Sequence, residues 1–494
     1  MKAGAKLELK GIVNGTEIEI LKGSMDIEIT GVEHDSRKVL KDNMFIAIEG
    51  FTVDGHDFID QALEKGANCI VVEKDVEIDK DGITLLKVKD TIQALAEFSS
   101  RFYKEPSKEL ELIGVTGTNG KTSITYLVKS IFEADNKKTG IIGTMGSIID
   151  DKLVDNINTT PESSAIQSQL RKMVDHGTKY CVMEVSSHSL DMKRVECMDF
   201  QIGIFSNLTE DHLDYHITME NYFNSKLKLF NRTKKYNIIN IDDPYGKRIL
   251  KEANNNVPII TYGIDEECDI YARDIVYHTK GVDFTLNTPK ESIPINLKLL
   301  GKFSVYNALA AISCGIAYGI DLPTIKKGIE LVTGIKGRFE MVPIDKDYSV
   351  IIDFAHTPDG LEKVLTTIDQ FAKGRKIVVF GAGGNRDKAK RPIMGEIVAK
   401  HADLCIVTSD NPRFEDPDKI IDDIIVGIEK VDGSKYIPIT DRKEAIKYAL
   451  LNAKPKDTIL LAGKGHETYT IIKDEIIPFN EKEIVLDILE NIKE

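Results

Sequence analysis

The sequence predicts an α/β protein with three domains, and three observations support this prediction. Apolar strands alternate with helical patterns along the chain. A central strand runs through a glycine-rich turn into an amphipathic helix, and four later strands each end in a polar or glycine-containing loop. A chain of 494 residues allows two to four domains at roughly 100–200 residues each. We expect domains at residues 1–107, 108–338 and 339–494.

The first domain is predicted to be a small α/β unit. The segment MFIAIEG is typical of a short apolar strand, and polar residues and a glycine flank it. A helical stretch, FIDQALEKG, leads into a second strand, GANCIVVEKD. The polar, proline-containing segment 103–107 follows a helical pattern, so we place the first domain boundary there.

The second domain opens with the strand ELELIGVT, the turn TGTNGKTS and a helix. Apolar residues in this helix recur at the i, i+3, i+4, i+7 and i+8 positions that form one buried face. These residues are Ile124, Leu127, Val128, Ile131 and Phe132. Further strands are predicted at YCVMEV, IGIFSNL and YNIIN, and a helix at YNALAAISCGIAYGI, before a boundary near residues 337–338.

The third domain is predicted to be Rossmann-like, with a doubly wound and mostly parallel sheet. Its apolar strands run into the loops of YSVIIDFAHTPDG, KIVVFGAGGNRD, LCIVTSDNPR and TILLAGKGHE, with helical patterns between them. Ligands of such sheets bind at the carboxyl ends of the strands. The loop GAGGNR is not a dinucleotide fingerprint, because Arg386 stands where the third glycine should be.

The composition disfavours several classes of partner. A net charge of −14 is unsuited to nucleic acid or an anionic membrane surface, because phosphate binding needs clustered Lys and Arg. The six cysteines form no C-x-x-C pair, and no apolar run reaches the roughly 18 residues of a membrane span. We expect a cytoplasmic, monomeric protein that acts on small molecules, without nucleic acid and without membrane insertion.

The strongest local signal is the turn GTNGKT at residues 117–122. Glycines allow backbone N–H groups to point at phosphate oxygens, and the start of the following helix adds a favourable dipole. Lys121 is placed to reach the outer phosphates, and the Thr122 hydroxyl to bind magnesium. The pattern G-x-x-x-x-G-K-[ST] is not strictly met, since Val115 stands at its first glycine.

Two further residues of the second domain are candidates for binding a divalent metal. Glu184 and His212 each follow an apolar strand in the domain that carries the turn GTNGKT. Zinc is disfavoured, because His212 and His216 are four residues apart but lack the H-E-x-x-H pattern.

The turn TGTNGKT resembles the phosphate loop of the Mur ligases and of the folylpolyglutamate synthases. The motif HDSR precedes this turn, and the motifs NTTP, MEVSSH, NLTEDHLDYH, YNALAA, GRFE, DFAHTPD, GGNRDKAKRP, DNPR and GKGHE follow it, in the order typical of the Mur ligases. This resemblance covers nearly the whole chain. It implies a first domain for a uridine nucleotide, a second for ATP and a third for an incoming amino acid. It also implies magnesium-dependent amide synthesis through an acyl phosphate.

The resemblance assigns roles to residues of all three domains. The implied ATP-binding residues are Gly117, Thr118, Asn119, Gly120, Lys121, Thr122, Ser123, Asn307, Arg338, Asp353 and His356. The residues implied to bind a UDP-MurNAc-dipeptide are Ser36, Phe51, Thr52, Val53, Asn158, Thr159, Thr160, Ser186 and Arg194. The metal ligands are Thr122, Glu184, His212 and a carbamylated Lys226, and the catalytic residues are Lys121, Lys226, His212 and Arg338.

The third domain is expected to select the amino acid. A DNPR motif resembles the form that accepts meso-diaminopimelate. The second head of that substrate carries a carboxylate suited to the fork of Arg413 and an ammonium suited to Glu467. The residues implied to contact it are Arg386, Asp410, Asn411, Pro412, Arg413, Gly463 and Glu467.

Other functions remain open at the level of sequence. The same ligase could use L-lysine or another diamino acid such as lanthionine. A folylpolyglutamate synthase-like ligase would share the phosphate loop, but would have no reason to carry DNPR with GKGHE. A non-catalytic nucleotide-binding switch is disfavoured by the joint presence of Lys121, Thr122, Glu184, His212 and Lys226. No general base for the amine is evident.

Overall fold

A computed structural model describes residues 6–50, 53–254, 256–278 and 280–491 of the chain. Its main sheets contain five, eleven and six strands and follow one another along the chain, so the predicted α/β class is confirmed. Two-stranded ribbons accompany the first and last of these sheets. None of the helices in the described ranges combines the length and the apolar character needed to cross a bilayer.

The first sheet has the strand order β2-β7-β6-β5-β4, and its strands are parallel except at β2. Helices α1 and α3 pack on one face and α2 on the other. The strands are β1 (Leu7–Glu8), β2 (Glu19–Lys22), β3 (Glu28–Ile29), β4 (Gly31–Glu33), β5 (Asn43–Ile46), β6 (Cys69–Val72) and β7 (Thr84–Lys87). The helices are α1 (Leu9–Val13), α2 (Ile59–Glu64) and α3 (Thr91–Phe102).

The second sheet is parallel at its centre and antiparallel at both edges. Its strands are β8 (Glu111–Thr116), β9 (Thr139–Gly143), β10 (Gly146–Ile149), β11 (Lys152–Val154), β12 (Tyr180–Glu184), β13 (Phe200–Phe205), β14 (Tyr236–Asn240), β15 (Ile259–Gly263), β16 (Ile270–His278), β17 (Gly281–Asn287) and β18 (Ser292–Leu297). Their order is β11-β10-β9-β12-β8-β13-β14-β15-β16-β17-β18. The phosphate-loop strand β8 therefore lies between β12 and β13.

Helices cover both faces of this sheet. They are α4 (Lys121–Ala134), α5 (Ser163–Asp175), α6 (Ser187–Asp191), α7 (Leu213–His216), α8 (Met219–Phe230), α9 (Pro244–Glu252), α10 (Lys302–Ala317) and α11 (Leu322–Leu331). The predicted apolar face of α4 is buried: Ile124, Leu127, Val128, Ile131 and Phe132 are each 0% exposed and pack beside α10 and α11. The helix that follows the phosphate loop is therefore anchored in a buried apolar core.

The third sheet has the strand order β19-β20-β24-β21-β22-β23 and is parallel except at β19, as the sequence predicts for this region. Its strands are β19 (Glu340–Met341), β20 (Ser349–Asp353), β21 (Lys376–Phe380), β22 (Leu404–Val407), β23 (Tyr436–Pro438) and β24 (Thr458–Ala462), and the ribbon is β25 (Tyr469–Ile472) with β26 (Glu475–Pro478). The helices are α12 (Pro358–Asp369), α13 (Lys390–His401), α14 (Pro417–Ile428), α15 (Arg442–Asn452) and α16 (Glu481–Asn491).

Side chains that cap the starts of helices fix the path of the chain between a strand end and the next helix. Asp243 and Thr357 precede prolines at the starts of α9 and α12, and their side chains accept hydrogen bonds from backbone N–H groups in the first turn. Such caps satisfy donors that a helix start leaves free, and proline suits the first helical position. The loops between strand and cap are therefore short and well defined where they face the candidate site.

Candidate active site

The phosphate loop joins β8 to α4 through two glycines with positive φ. Gly117 has φ 150° and Gly120 has φ 90°. A Cβ atom on Gly117 would overlap the Ser206 hydroxyl, and one on Gly120 would overlap the Asn307 amide. Because both side chains lie so close to the backbone, only glycine is accommodated at these two positions.

Two lysines converge on this loop. Lys121 Nζ donates to the carbonyls of Gly117 and Thr118, each at 2.9 Å. Lys226, on α8, donates to the Gly117 carbonyl at 3.0 Å and lies 4.7 Å from the ring centre of Tyr222. Burial lowers the pKa of both amines, and the charge of Lys121 lowers that of Lys226 further.

Glu184 ties the phosphate loop to the neighbouring strand. It ends β12, beside β8, and accepts hydrogen bonds from Thr122 Oγ1 at 2.9 Å, Thr144 N at 2.9 Å and Thr144 Oγ1 at 3.0 Å. A hydroxyl and a carboxylate are oxygen donors of the kind that Mg²⁺ prefers. The pair Thr122 and Glu184 therefore suits a magnesium ion shared with phosphate oxygens.

His212 lies in the same cavity as Thr122 and Glu184. Its Nε2 is 3.3 Å from Asp211 Oδ2, and burial lowers the pKa of the imidazole despite the opposing effect of that carboxylate. A neutral imidazole can offer a ring nitrogen to a metal. In the part of the chain that the structure describes, no three His, Cys, Asp or Glu side chains converge to hold a metal by themselves.

Arg338 connects the second sheet to the third. Its Nη2 donates to Thr122 Oγ1 at 3.1 Å, and its guanidinium lies 4.5 Å from the ring centre of Phe354. Asp353 fixes the adjoining backbone by accepting from Phe339 N at 2.6 Å and Ala355 N at 2.7 Å. Within the described ranges Arg338 makes no ion pair, and its buried Nε has no hydrogen-bond partner, so it retains a donor for an anionic ligand.

A cavity of about 440 Å³ lies behind the phosphate loop, between the second and third sheets. Asp242 borders it and is held by N–H groups of Ile264, Asp265 and Glu266 and by the hydroxyl of Tyr306. The residues predicted for ATP that line it are Asn119, Gly120, Ser123, Asn307, Arg338, Asp353 and His356.

A second cavity, of about 320 Å³, joins the phosphate loop to the third domain. Around the phosphate loop it is lined by Thr118, Asn119, Gly120, Lys121, Thr122, Ser123, Glu184, His212 and Arg338, with His356 of the third domain beside them. From the third domain it is lined by Arg386, Asp410, Asn411, Arg413, Gly463 and Glu467. A third cavity of about 950 Å³ shares His212, Asp214 and Arg386 with it. Candidate residues from two distant chain segments therefore face one space.

The loop at 410–413 is held in place by its neighbours. Asn411 Nδ2 donates to Glu467 Oε2 at 2.9 Å, and Arg413 Nη1 donates to the Gly384 carbonyl at 3.0 Å. Asp410 is buried, and its Oδ2 has no hydrogen-bond partner in the described structure. Pro412 is not part of the cavity wall; its carbonyl faces Gly384, where a side chain would not fit. Pro412 thus shapes the loop rather than the cavity.

Only some of the residues predicted to bind the UDP-MurNAc-dipeptide lie close together in the structure. Thr160 donates to the Glu184 carbonyl at 2.9 Å and accepts from Ser186 N at 3.0 Å, while Arg194 donates to the Thr160 carbonyl at 3.2 Å. Thr159 lies 3.0 Å from the hydroxyl of Thr144, and Asn158 is exposed.

The N-terminal residues of the same predicted site are more dispersed. Ser36 is buried and donates to Gln61 Oε1 at 2.5 Å, whereas Val53 is exposed. Phe51 and Thr52 lie outside the described residues.

Sequence reasoning missed several residues of the site. Asp359 accepts from Asn119 Nδ2 at 2.6 Å and Thr209 Oγ1 at 3.1 Å, which links the third domain to the phosphate loop. Thr144 contacts Glu184, and Asp242 borders the first cavity. Asp242 follows an apolar strand, as Glu184 does, and that position was the available signal. Asp359 ends the motif DFAHTPD, which was the signal available for it, whereas Thr144 had none because its partner Glu184 is distant in sequence.

The fold and the site define an ATP-dependent ligase. Family models match the chain in three parts: "Mur ligase family, catalytic domain" at residues 28–103, "Mur ligase middle domain" at 115–315 and "Mur ligase, glutamate ligase domain" at 337–465. The chain belongs to the Mur ligase family.

Individual relatives match along their whole length. The chain is 48% identical over 484 residues to the UDP-N-acetylmuramoyl-L-alanyl-D-glutamate–2,6-diaminopimelate ligase of Clostridioides difficile, covering 98% of this chain and 99% of that one. It is 47% identical over 483 residues, with the same coverage, to the enzyme of that name from Caldanaerobacter subterraneus. A solved structure of a ligase of that name is 31% identical, with a TM-score of 0.68, and covers 99% of this chain and 100% of its own.

Proposed function

We propose that this protein joins meso-2,6-diaminopimelate to the D-glutamyl carboxylate of UDP-MurNAc-L-Ala-D-Glu, with conversion of ATP to ADP and phosphate. The observation that carries the proposal is the cavity of about 320 Å³ in which the phosphate loop faces Asp410, Arg413 and Glu467. The relatives' names support the identity of the substrates. We further propose that the protein acts as a cytoplasmic monomer on these small molecules.

The first step activates the carboxylate. A carboxylate oxygen attacks the γ-phosphorus of ATP, the bond to the β-phosphate oxygen breaks, and ADP and an acyl phosphate result. Both reactants are anionic, so cations must surround them. Lys121 and Arg338 supply positive charge from two sides of the loop, and the N–H groups at the start of α4 add donors. Magnesium, held by Thr122, Glu184 and His212, would neutralise phosphate charge when bound.

The second step forms the amide. The amine of the incoming amino acid attacks the acyl carbon, the tetrahedral intermediate collapses and phosphate leaves. The attacking amine must have lost its proton. The third domain supplies the cavity wall opposite the phosphate loop. Closure of the two domains therefore brings the amine and the acyl phosphate together and excludes water.

The selectivity for diaminopimelate is proposed to reside in the charges opposite the phosphate loop. The second head of the substrate carries a carboxylate and an ammonium. Arg413 offers a planar fork to the carboxylate, while Glu467 and the unpartnered Oδ2 of Asp410 offer acceptors to the ammonium. Lysine has no carboxylate at this end and would leave Arg413 without a carboxylate partner from the substrate.

Lys226 is proposed to carry a carbamate that supports magnesium. Its side chain is 1% exposed, and burial together with Lys121 lowers the pKa of its amine. Carbon dioxide adds to a neutral amine, so a lowered pKa favours carbamylation. The change would turn a cation beside the phosphate loop into an oxygen donor, the ligand type that magnesium prefers.

The proposed activity is tested by phosphate release from the purified protein with magnesium-ATP and UDP-MurNAc-L-Ala-D-Glu. Diaminopimelate, lysine, ornithine and lanthionine are supplied separately. We expect release that depends on diaminopimelate and greatly exceeds release with the other amines. Phosphate release with no amine dependence would contradict the ligase, and release with lysine or lanthionine alone would contradict the selectivity. Dependence on folate and glutamate instead would favour a folylpolyglutamate synthase.

Arg413→Lys replaces the planar fork with a point charge. We expect the KM for diaminopimelate to rise by on the order of tenfold or more, because a bidentate pair with a carboxylate is lost. The KM for ATP should change little. Arg375→Lys is the matched control, since Arg375 pairs with Asp457 at 2.6 Å elsewhere in the third domain. An unchanged KM for diaminopimelate would contradict the assignment of Arg413.

Lys226→Ala removes the amine that would be carbamylated. We expect loss of most ligase activity at limiting magnesium, and partial recovery when short carboxylic acids are added to occupy the vacated space. Lys228→Ala is the control, because Lys228 lies on the same helix but pairs with Asp191 at 2.8 Å on the surface. Full activity of Lys226→Ala at limiting magnesium would refute the carbamate.

A further inference from the structure

Lys464 is a fully buried cation next to the proposed amino-acid pocket. It follows β24 and is 0% exposed, so it cannot itself touch a substrate. Its Nζ donates to Asn411 Oδ1 at 3.1 Å and to the Tyr469 carbonyl at 2.8 Å, and it lies 3.7 Å from Glu467 Oε2. A lysine is rarely buried so completely without a defined set of partners.

The contact with Asn411 fixes the orientation of an amide in the cavity wall. Asn411 Oδ1 accepts from both Lys464 and Ile471 N, so its Nδ2 must point to Glu467, to which it donates at 2.9 Å. With Lys464 removed, one of the two donors that hold the amide oxygen is lost. The position of the Glu467 carboxylate would then be less well defined.

The charge of Lys464 also acts on Glu467. Burial and the nearby Asp410 raise the pKa of the Glu467 carboxyl, whereas Lys464, the Asn411 amide and Arg413 lower it. Tyr469 also interacts with Glu467, whose charge raises the pKa of the tyrosine. Lys464 thus opposes the repulsion between two carboxylates that line one cavity.

The other charged groups near Lys464 are Arg442 and Glu481, which pair with each other but leave Arg442 Nη1 and Glu481 Oε2 without hydrogen-bond partners in the described structure. Arg442 and Glu481 pair at 2.8 Å, and the Arg442 guanidinium also donates to the Ala462 carbonyl at 2.7 Å. The ring of Phe479 lies 5.6 Å from Lys464 Nζ. Burial and Arg442 lower the pKa of the Lys464 amine, whereas Asp410, Glu467 and, more weakly, Glu481 raise it, so the two pocket carboxylates are the anions that interact most strongly with Lys464.

We propose that Lys464 is a positioning residue that sets the selectivity of the pocket for a substrate whose far end carries an ammonium and a carboxylate. It does so by orienting Asn411 and by keeping Glu467 available as an acceptor for the ammonium. This inference rests on the proposed function, since that function defines the substrate. It assigns to the lysine of GKGHE a role distinct from contact with the amino acid.

The test compares Lys464→Met and Lys464→Gln with the wild-type enzyme. Methionine removes both the donor and the charge, whereas glutamine keeps a donor for Asn411 but carries no charge. Lys447→Met is the matched control, because Lys447 is half-exposed on α15 of the same domain. The kcat and the KM for diaminopimelate, ATP and UDP-MurNAc-L-Ala-D-Glu are measured between pH 6 and 9, and folding is checked by thermal unfolding.

For Lys464→Met we expect the KM for diaminopimelate to rise about tenfold at pH 8, with kcat and the other two KM values little changed. Below neutral pH its KM should rise further. Glu467 accepts the ammonium only when it is ionised. Because removal of a nearby positive charge raises the pKa of Glu467, its carboxylate becomes protonated at a higher pH in the variant than in the wild type. For Lys464→Gln we expect a KM for diaminopimelate near that of the wild type at pH 8, but the same rise in this KM below neutral pH.

The possible results distinguish a failure of the proposed function from a failure of the role proposed for Lys464. If the wild type shows no diaminopimelate-dependent turnover, the proposed function fails. If the wild type turns over and both variants keep its KM and pH profile, the role of Lys464 is refuted while the function stands. A fall in kcat with all KM values unchanged also refutes it. Failure of both variants to fold would assign Lys464 to stability and overturn the proposed role.

Discussion

The hydrogen bond between Thr122 and Glu184 is the contact on which the rest of the site depends. It joins the end of the phosphate loop to the neighbouring strand, and Arg338 reaches the same threonine from the junction between the second and third domains. Two anions must meet here during the proposed reaction, the ATP phosphates and the acceptor carboxylate, and they combine to form the acyl phosphate. Because cationic groups are provided by both domains, the site is complete only when the domains lie together.

The proposed amino-acid pocket is held rigid by buried charge behind its walls. Arg391 is 1% exposed and pairs with Glu415 at 3.0 Å and with Asp423 at 2.9 Å. Glu415 also accepts from Asn385 N at 2.5 Å, so the loops that carry Arg386 and Arg413 are tied together. A buried ion pair is costly to desolvate and adds little stability, so its value here is the fixed geometry that it imposes.

Much of the fold could be predicted from the sequence because its signals are local. The apolar spacing from Ile124 to Phe132 predicts the buried face of α4. Glu184 and the loop at 410–413 could be predicted as parts of the site because they lie at the ends of apolar strands. The antiparallel strands β10, β11, β17 and β18 were missed, since their pairing depends on neighbours in the sheet. Asp359 ends the motif DFAHTPD, but its contact with the phosphate loop was missed, because its partner Asn119 lies 240 residues away.

The most direct test of the central claim follows oxygen atoms from the carboxylate. UDP-MurNAc-L-Ala-D-Glu labelled with ¹⁸O in the D-glutamyl side-chain carboxylate is incubated with the protein, magnesium-ATP and diaminopimelate, and the released phosphate is analysed by mass spectrometry. If the carboxylate is activated by phosphorylation, one labelled oxygen leaves with each phosphate. Phosphate free of label, alongside formation of the amide, would contradict the acyl phosphate and with it the role assigned to the phosphate loop.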